Sequence, residues 1–344
     1  MTTETPNFPP APSRISLTGS GLLRVGGLLA TVVVVMAAFG FLSGGSFLGI
    51  NNQLGILRNV STVAIVGLGL TLVIVVGEID LSFASLYGLC ASVIAVSWII
   101  WGFPVWAAIL LAFAVAIFWG AFNAFFTTVV HIPSFIATLG SGTLIFGFTL
   151  FITATATFNP TYPPGGRSVD PDQLAFFTGL ANQDLPFRFP MQGVWLIVIA
   201  AIFFFLLGRS LFGFRLKAIG GNPEAARLAR LPVRKYKFAA FILAAVMACT
   251  AAMLDFSFIG STQPNGGQSL LFPTFAAVII GGASLAGGRG TVLGTITGAL
   301  LLSILVNGLA LLAAGPFAQQ MLVGTVTIGA VVLDRFTQQR RGLL

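Results

Sequence analysis

Two carboxylates, Glu78 and Asp80, stand close together in the segment GEIDLS (Gly77–Ser82), between apolar runs. A carboxylate pair can work as general acid and base only if both face a substrate pocket, and no other polar residue nearby supports such a pocket. A charge deep in a bilayer costs roughly 2.5–3.5 kcal/mol on insertion scales, which favours a water-lined position or a surface turn. Asp80 or Ser82 can cap the helix that follows, leaving Glu78 to face a pathway. A second glycine-rich segment, GGASLAGGRG (Gly281–Gly290), lacks the Lys and the strand-to-helix setting of a phosphate loop; it reads as tight turns and close packing. Arg289 in it is either an ordinary basic loop residue or a partner for a carboxylate such as Glu78. One histidine, His131, and no nucleophile–base pair leave little for covalent catalysis, and nine acids point away from a metal site. Cys90 and Cys249 lie within apolar runs and read as small buried hydrophobes.

The third candidate is the loop 208–237. Gly220-Gly221 ends what precedes it, Asn222 is a good N-cap, Pro223 suits the first helical position, and Glu224 meets the positive end of the helix dipole. A helix is predicted over Pro223–Arg230, stopped by Pro232. Ala225, Leu228 and Ala229 share one face, with Arg227 and Arg230 beside it. A helix this short is not stable alone in water. It is read either as a knob held in a partner's groove or as a basic loop touching lipid headgroups.

The elements that position these residues follow from composition. Of 344 residues, 56% are hydrophobic and 8% charged, against about a quarter charged in soluble domains; mean hydropathy is +0.98. Disordered, collagen-like and most soluble classes are excluded. The expected fold is all-α and polytopic, with about ten spans, some broken or half-helices. The apolar runs are Val25–Leu42, Val60–Gly77, Ser82–Trp101, Val105–Val130, Ser134–Thr153, Met191–Leu207, Phe238–Phe258, Pro273–Ala286, Thr291–Ala314 and Phe317–Leu333. Pro273–Ala286 is too short to cross alone. Residues 1–20 read as a disordered cytoplasmic tail and 336–344 as a cytoplasmic tail, around a membrane-spanning body over 21–335. The net charge of +8 is interpreted through loop bias, not nucleic acid. Arg209, Arg215, Lys217, Arg227, Arg230, Arg234, Lys235 and Lys237 face one acid in the loop 208–237, whereas the loop 154–190 balances Arg167 and Arg188 against Asp170, Asp172 and Asp184. That bias places 208–237 and both termini in the cytoplasm. Trp98, Trp101 and Trp106 suggest an aromatic belt at the outer interface. Asn51, Asn52, Asn123 and Asn307 are pathway candidates or helix–helix hydrogen bonders. Gly290, Gly294 and Gly298 form a smooth stripe for a neighbouring helix, and Gly77–Leu89 weakly resembles Gly287–Ala299.

Three segments together carry a resemblance. GFRLKAIGGNPEAARLARLPVRKYKFAAFILAAVMA, GEIDLS followed by Phe83-Ala84-Ser85, and AAVIIGGASLAGGRGTVLGTITGALLLSILVNGL (Ala276–Leu309) resemble bacterial ABC-importer permeases of the ribose/monosaccharide type, over about residues 25–335. The sequence departs from that pattern at Glu78 and at Arg230, where Gly is usual, and in lacking an Arg after Leu139. The resemblance implies a homodimeric or paired permease in the bacterial inner membrane, two cytosolic ATPase subunits carrying ATP and Mg, and a periplasmic or lipid-anchored solute-binding protein. No GxxxxGK[ST] and no Gly-Lys pair occur, so the chain has no phosphate loop and no cofactor of its own is expected. The implied coupling residues are Arg215, Lys217, Asn222, Pro223, Glu224, Ala225, Ala226, Arg227 and Leu228. Candidates for the pathway or gate are Glu78, Asp80, Ser82, Ser85, Asn123, Ser284, Arg289 and Asn307. The expected cargo is a monosaccharide, with a nucleoside, inositol or sugar-like signal as the alternative. An ion-coupled transporter built on Glu78 and Asp80 is the rival from another class.

Overall fold

The computed structural model describes residues 17–183 and 185–339. Asp184, residues 1–16 with Arg14, and residues 340–344 with Arg340 and Arg341 lie outside the described residues. Among the described residues there are thirteen α-helices: α1 (Leu17–Leu42), α2 (Ile50–Val75), α3 (Phe83–Ala95), α4 (Val105–Thr128), α5 (Ser134–Thr153), α6 (Pro171–Gly179), α7 (Met191–Gly208), α8 (Leu211–Gly221), α9 (Pro223–Leu228), α10 (Val233–Ile259), α11 (Leu271–Ile280), α12 (Val292–Leu311) and α13 (Pro316–Gln339). Among the described residues nine helices are long and apolar enough to cross a membrane: α1, α2, α3 with its wider continuation Val96–Ile100, α4, α5, α7, α10, α12 and α13. The tenth apolar run is the short α11 followed by the coil 281–291, the broken span its length predicts. The predicted N-terminal tail overlaps the start of α1 at Leu17, and the predicted C-terminal tail overlaps the end of α13.

The centre is α2. It packs against α7, α10, α11 and α12 and is buried from Val60 to Val75, so it has no lipid face there. Its sequence permits this because small residues let helix backbones approach. A Cβ at Gly69 would lie 2.7 Å from the Ala244 Cα of α10. Thr71 Oγ1 and Thr295 Oγ1 of α12 share a hydrogen bond of 2.6 Å. The Gly294 and Gly298 stripe lies against the Ala277 carbonyl of α11 and the Gly281 carbonyl just after it, where any side chain would overlap backbone. α1 and α13 are mostly exposed, and their apolar surfaces read as lipid-facing.

The loop 154–190 contains α6, whose Phe177 is buried and meets Trp98 at 5.2 Å between ring centroids. Trp98 is therefore core, not belt; Trp101 and Trp106 remain exposed. Phe158 and Thr262 pair by reciprocal backbone hydrogen bonds of 3.0 and 3.1 Å, tying this loop to the segment 260–267. Cys90 and Cys249 are free and buried.

Candidate functional site

The loop 208–237 contains two helices and the start of a third. α8 escaped the sequence reading. Ser210 begins it, accepting from the Gly213 N–H at 3.2 Å, and it buries Gly213, Leu216, Ile219 and Gly220. Arg215 Nη1 donates to the Tyr236 hydroxyl at 3.0 Å, which fastens α8 to α10. Lys217 is half-buried, and burial pushes its ammonium below the usual lysine range.

Asn222 ends α8 and starts α9: its N–H bonds to the Ala218 carbonyl at 3.1 Å, and its Oδ1 accepts from the Ala225 N–H at 2.9 Å. α9 runs from Pro223 to Leu228, shorter than the predicted Pro223–Arg230, because Arg230 adopts φ +56°. Leu231 N–H bonds to the Ala226 carbonyl at 3.0 Å and Arg230 N–H to the Arg227 carbonyl at 2.9 Å, which is a Schellman close. Only Ala226 of α9 is buried. Glu224, Ala225, Arg227 and Ala229 are exposed, and Leu228 is 83% exposed. The apolar face thus looks away from the rest of the chain.

α8 meets the body through backbone. A Cβ on Gly220 would overlap the Val75 carbonyl at the end of α2 and come within 2.7 Å of the Gly288 nitrogen. The Gly288 N–H itself donates to that Val75 carbonyl at 2.8 Å. The weakly similar segments at Gly77 and Gly287 therefore converge here, each glycine at φ +85°, with Gly287 against both Gly77 and Gly220.

GEIDLS runs from this junction to the start of α3. Glu78 pairs with Lys237 of α10, where the sequence suggested Arg289. Asp80 is buried, and its Oδ1 accepts from the Ser82 N–H at 2.8 Å and the Ser82 hydroxyl at 2.7 Å. Asn123 Nδ2 donates to Ser82 Oγ at 2.7 Å, and Ser141 Oγ donates to Asn123 Oδ1 at 2.6 Å. Asp80, Ser82 and Asn123 therefore form one internal chain. Ser85 receives Gln268 Nε2 at 3.4 Å. Asn307 exchanges two hydrogen bonds of 3.0 Å with Asn52 across α12 and α2. Ser284 and Arg289 sit in the glycine-rich turn, where the Ser284 N–H bonds to the Arg289 carbonyl at 3.1 Å, and Leu285 N–H reaches Asp334 of α13 at 3.2 Å.

Two charged residues were missed. Asp255, inside α10, accepts from Thr62 Oγ1 of α2 at 2.7 Å and from the Tyr87 hydroxyl of α3 at 2.5 Å. Arg58, two turns into α2, lies 4.7 Å from the Phe258 ring centroid. An acid alone in an apolar run is the available signal for Asp255. Among the described residues no group of three or more His, Cys, Asp or Glu is placed to hold a metal.

Residues 52–331 match the family described as branched-chain amino acid transport system / permease component. The chain is 31% identical to the probable ABC transporter permease protein YphD of Escherichia coli (strain K12), over 91% of this chain and 90% of that one. It is 29% identical to the xylose transport system permease protein XylH of the same strain, over 92% and 93%. Identity to the ribose import permease protein RbsC of Bacillus subtilis (strain 168) is 33%, over 84% and 86%. No solved structure matches the chain. Since the family match runs from α2 into α13, through both the capped α9 and the junction it rests on, this chain belongs to the branched-chain amino acid transport system / permease component family and is a membrane-spanning permease.

Proposed function

We propose that this chain is the membrane half of an ATP-driven importer and forms the route for a monosaccharide. A second copy or a related permease completes the pore in the bacterial inner membrane, and a periplasmic or lipid-anchored binding protein delivers the solute. Two cytosolic subunits hold ATP and Mg and dock on α9. Both termini of the chain lie in the cytoplasm. The chain itself burns no nucleotide, in keeping with its lack of a phosphate loop.

The observation that carries this reading is α9. It is closed at both ends, rests on the body through Ala226, and turns Leu228, Ala225 and Ala229 outward between Glu224 and Arg227. A helix of six residues is too short to hold itself, so a partner's groove accounts for that outward apolar face better than water does. Cargo is drawn from relatives whose names specify xylose and ribose. The ion-coupled rival loses its footing because Glu78 is engaged by Lys237 and Asp80 by Ser82.

The test is Glu224→Lys in the complex purified from native membranes. ATP hydrolysis persists while solute uptake falls by about tenfold or more, the scale of one lost charge-assisted contact. Normal uptake in that variant, or a permease that drives uptake with no ATPase co-purifying, overturns the reading.

A further inference from the structure

Asp255 has no part in α9 or in its junction. It stands 18 residues beyond Lys237 on α10, about 27 Å along the helix, so it belongs to the opposite half of the molecule. It borders a cavity of about 140 Å³ between α3, α10 and the segment 261–266, lined also by Tyr87, Ala91, Phe256, Thr262 and Gln263. That is about ten times the ~10–15 Å³ needed for one water. Gln263 and Gly266 at the cavity are exposed, which opens it to the outside of the chain.

A carboxylate has about four acceptor positions. Thr62 Oγ1 occupies one on Oδ1 and the Tyr87 hydroxyl one on Oδ2, and no other donor to Asp255 is present among the described residues. Each oxygen therefore keeps acceptor capacity, and the Tyr87 oxygen, having donated, can accept in turn. Beside these groups, within one turn of Asp255 on α10 or of Tyr87 on α3, stand Ala91, Ala252, Phe256 and Ile259, an apolar surround. Neither Lys nor Arg lines the cavity. A solute bearing a carboxylate and no cation of its own would sit unpaired beside Asp255, a costly arrangement. A solute with adjacent hydroxyls and a C–H face meets both the acceptors and the apolar surround.

We propose that Asp255, positioned by Thr62 and Tyr87, binds a neutral polyhydroxylated solute, two neighbouring hydroxyls donating to its two oxygens while the C–H face rests on Phe256 and Ile259. The choice of sugars as probes rests on the import reading above; the site itself does not.

The test uses the full-length permease in detergent with Ser261→Cys, a residue on the cavity, labelled by a maleimide. Xylose or ribose slows labelling about fivefold or more at a saturating concentration, gluconate, which carries a carboxylate and no cation, does not, and the added substitution Asp255→Asn removes the protection. Asn keeps an acceptor for Thr62 or Tyr87, and an unchanged melting temperature and unchanged labelling without sugar show that the variant is folded. If Asp255→Asn does not fold, Tyr87→Phe replaces it: it removes the hydroxyl alone, and loss of protection is again expected. No protection by either sugar in the parent protein, or full protection in the variants, overturns the site. Protection without uptake by the complete transporter would sink the importer reading and leave the site standing; uptake without protection would do the reverse.

Discussion

Arg230 holds a left-handed conformation, φ +56°, at the position that closes α9. Permeases of the type this sequence resembles commonly carry glycine there, and the geometry shows why: the Schellman hydrogen bonds of Arg230 and Leu231 require it. For an L-residue the left-handed region costs roughly 1–2 kcal/mol. Glycine removes that cost but gains about 0.5–1 kcal/mol of unfolded-state freedom, so the strain term wins by a small margin. Arg230→Gly is therefore expected to tighten the end of α9 by about 0.5–1 kcal/mol, seen as amide exchange at Leu231 slowed roughly two- to fivefold. Arg230→Val, β-branched in the same conformation, is expected to speed it. Equal exchange in all three would mean that the turn is not strained. Glu78, the other departure from the family pattern, is accounted for by Lys237: both side chains are largely buried, and a lone buried charge on either side would be unfavourable.

Between elements, the joint of α2, α8 and the 287–288 turn has no side chains to yield. Gly220→Ala drives a methyl group into the Val75 carbonyl and the Gly288 nitrogen, whereas a Cβ on Gly221 finds only the Gly288 Cα at 3.8 Å. Overpacking of this kind costs typically 1–3 kcal/mol. Gly220→Ala should lower the melting temperature of the purified permease and reduce uptake, and Gly221→Ala should do neither; equal effects would show that the joint is not the contact that matters. The sequence made some of this readable and hid the rest for physical reasons. Long apolar runs betrayed the spans, and Asn222, Pro223 and Glu224 betrayed α9, because caps act locally. α8 was hidden because its buried Leu216 and Ile219 alternate with Arg215 and Lys217, which blurs an apolar run. The first turns of α2 were hidden by Asn51, Asn52, Gln53 and Arg58: Asn52 meets Asn307 and Arg58 meets Phe258, both far along the chain, while Gln53 and Asn52 also turn back to the Phe47 carbonyl. Asp255 was hidden for the same reason: Thr62 and Tyr87 approach it only in the folded bundle.

At the scale of the molecule, the direction of every span follows from the joint. α2 ends there, α8 and α9 sit on it, α10 starts beside it through Lys237, and α12 starts just after Gly288. Nine crossings alone would leave the two ends of the chain on opposite faces. α11 covers only about 15 Å at 1.5 Å per residue, and the coil 281–291 completes the passage back to Gly220. α13 then descends to the same face, where Asp334 meets the Leu285 N–H. The basic residues from Arg209 to Lys237, and Arg335, gather at this end, so the positive-inside bias predicts that it faces the cytoplasm. Cysteines replacing Arg227 and Arg335 should therefore react with a membrane-impermeant maleimide only in inside-out vesicles, and one replacing Asn182, exposed after α6, only in right-side-out ones. Labelling of positions 227 and 335 from opposite sides would mean that α11 and its coil do not cross. Labelling of both from the outside would invert the molecule and take α9 away from any cytosolic ATPase.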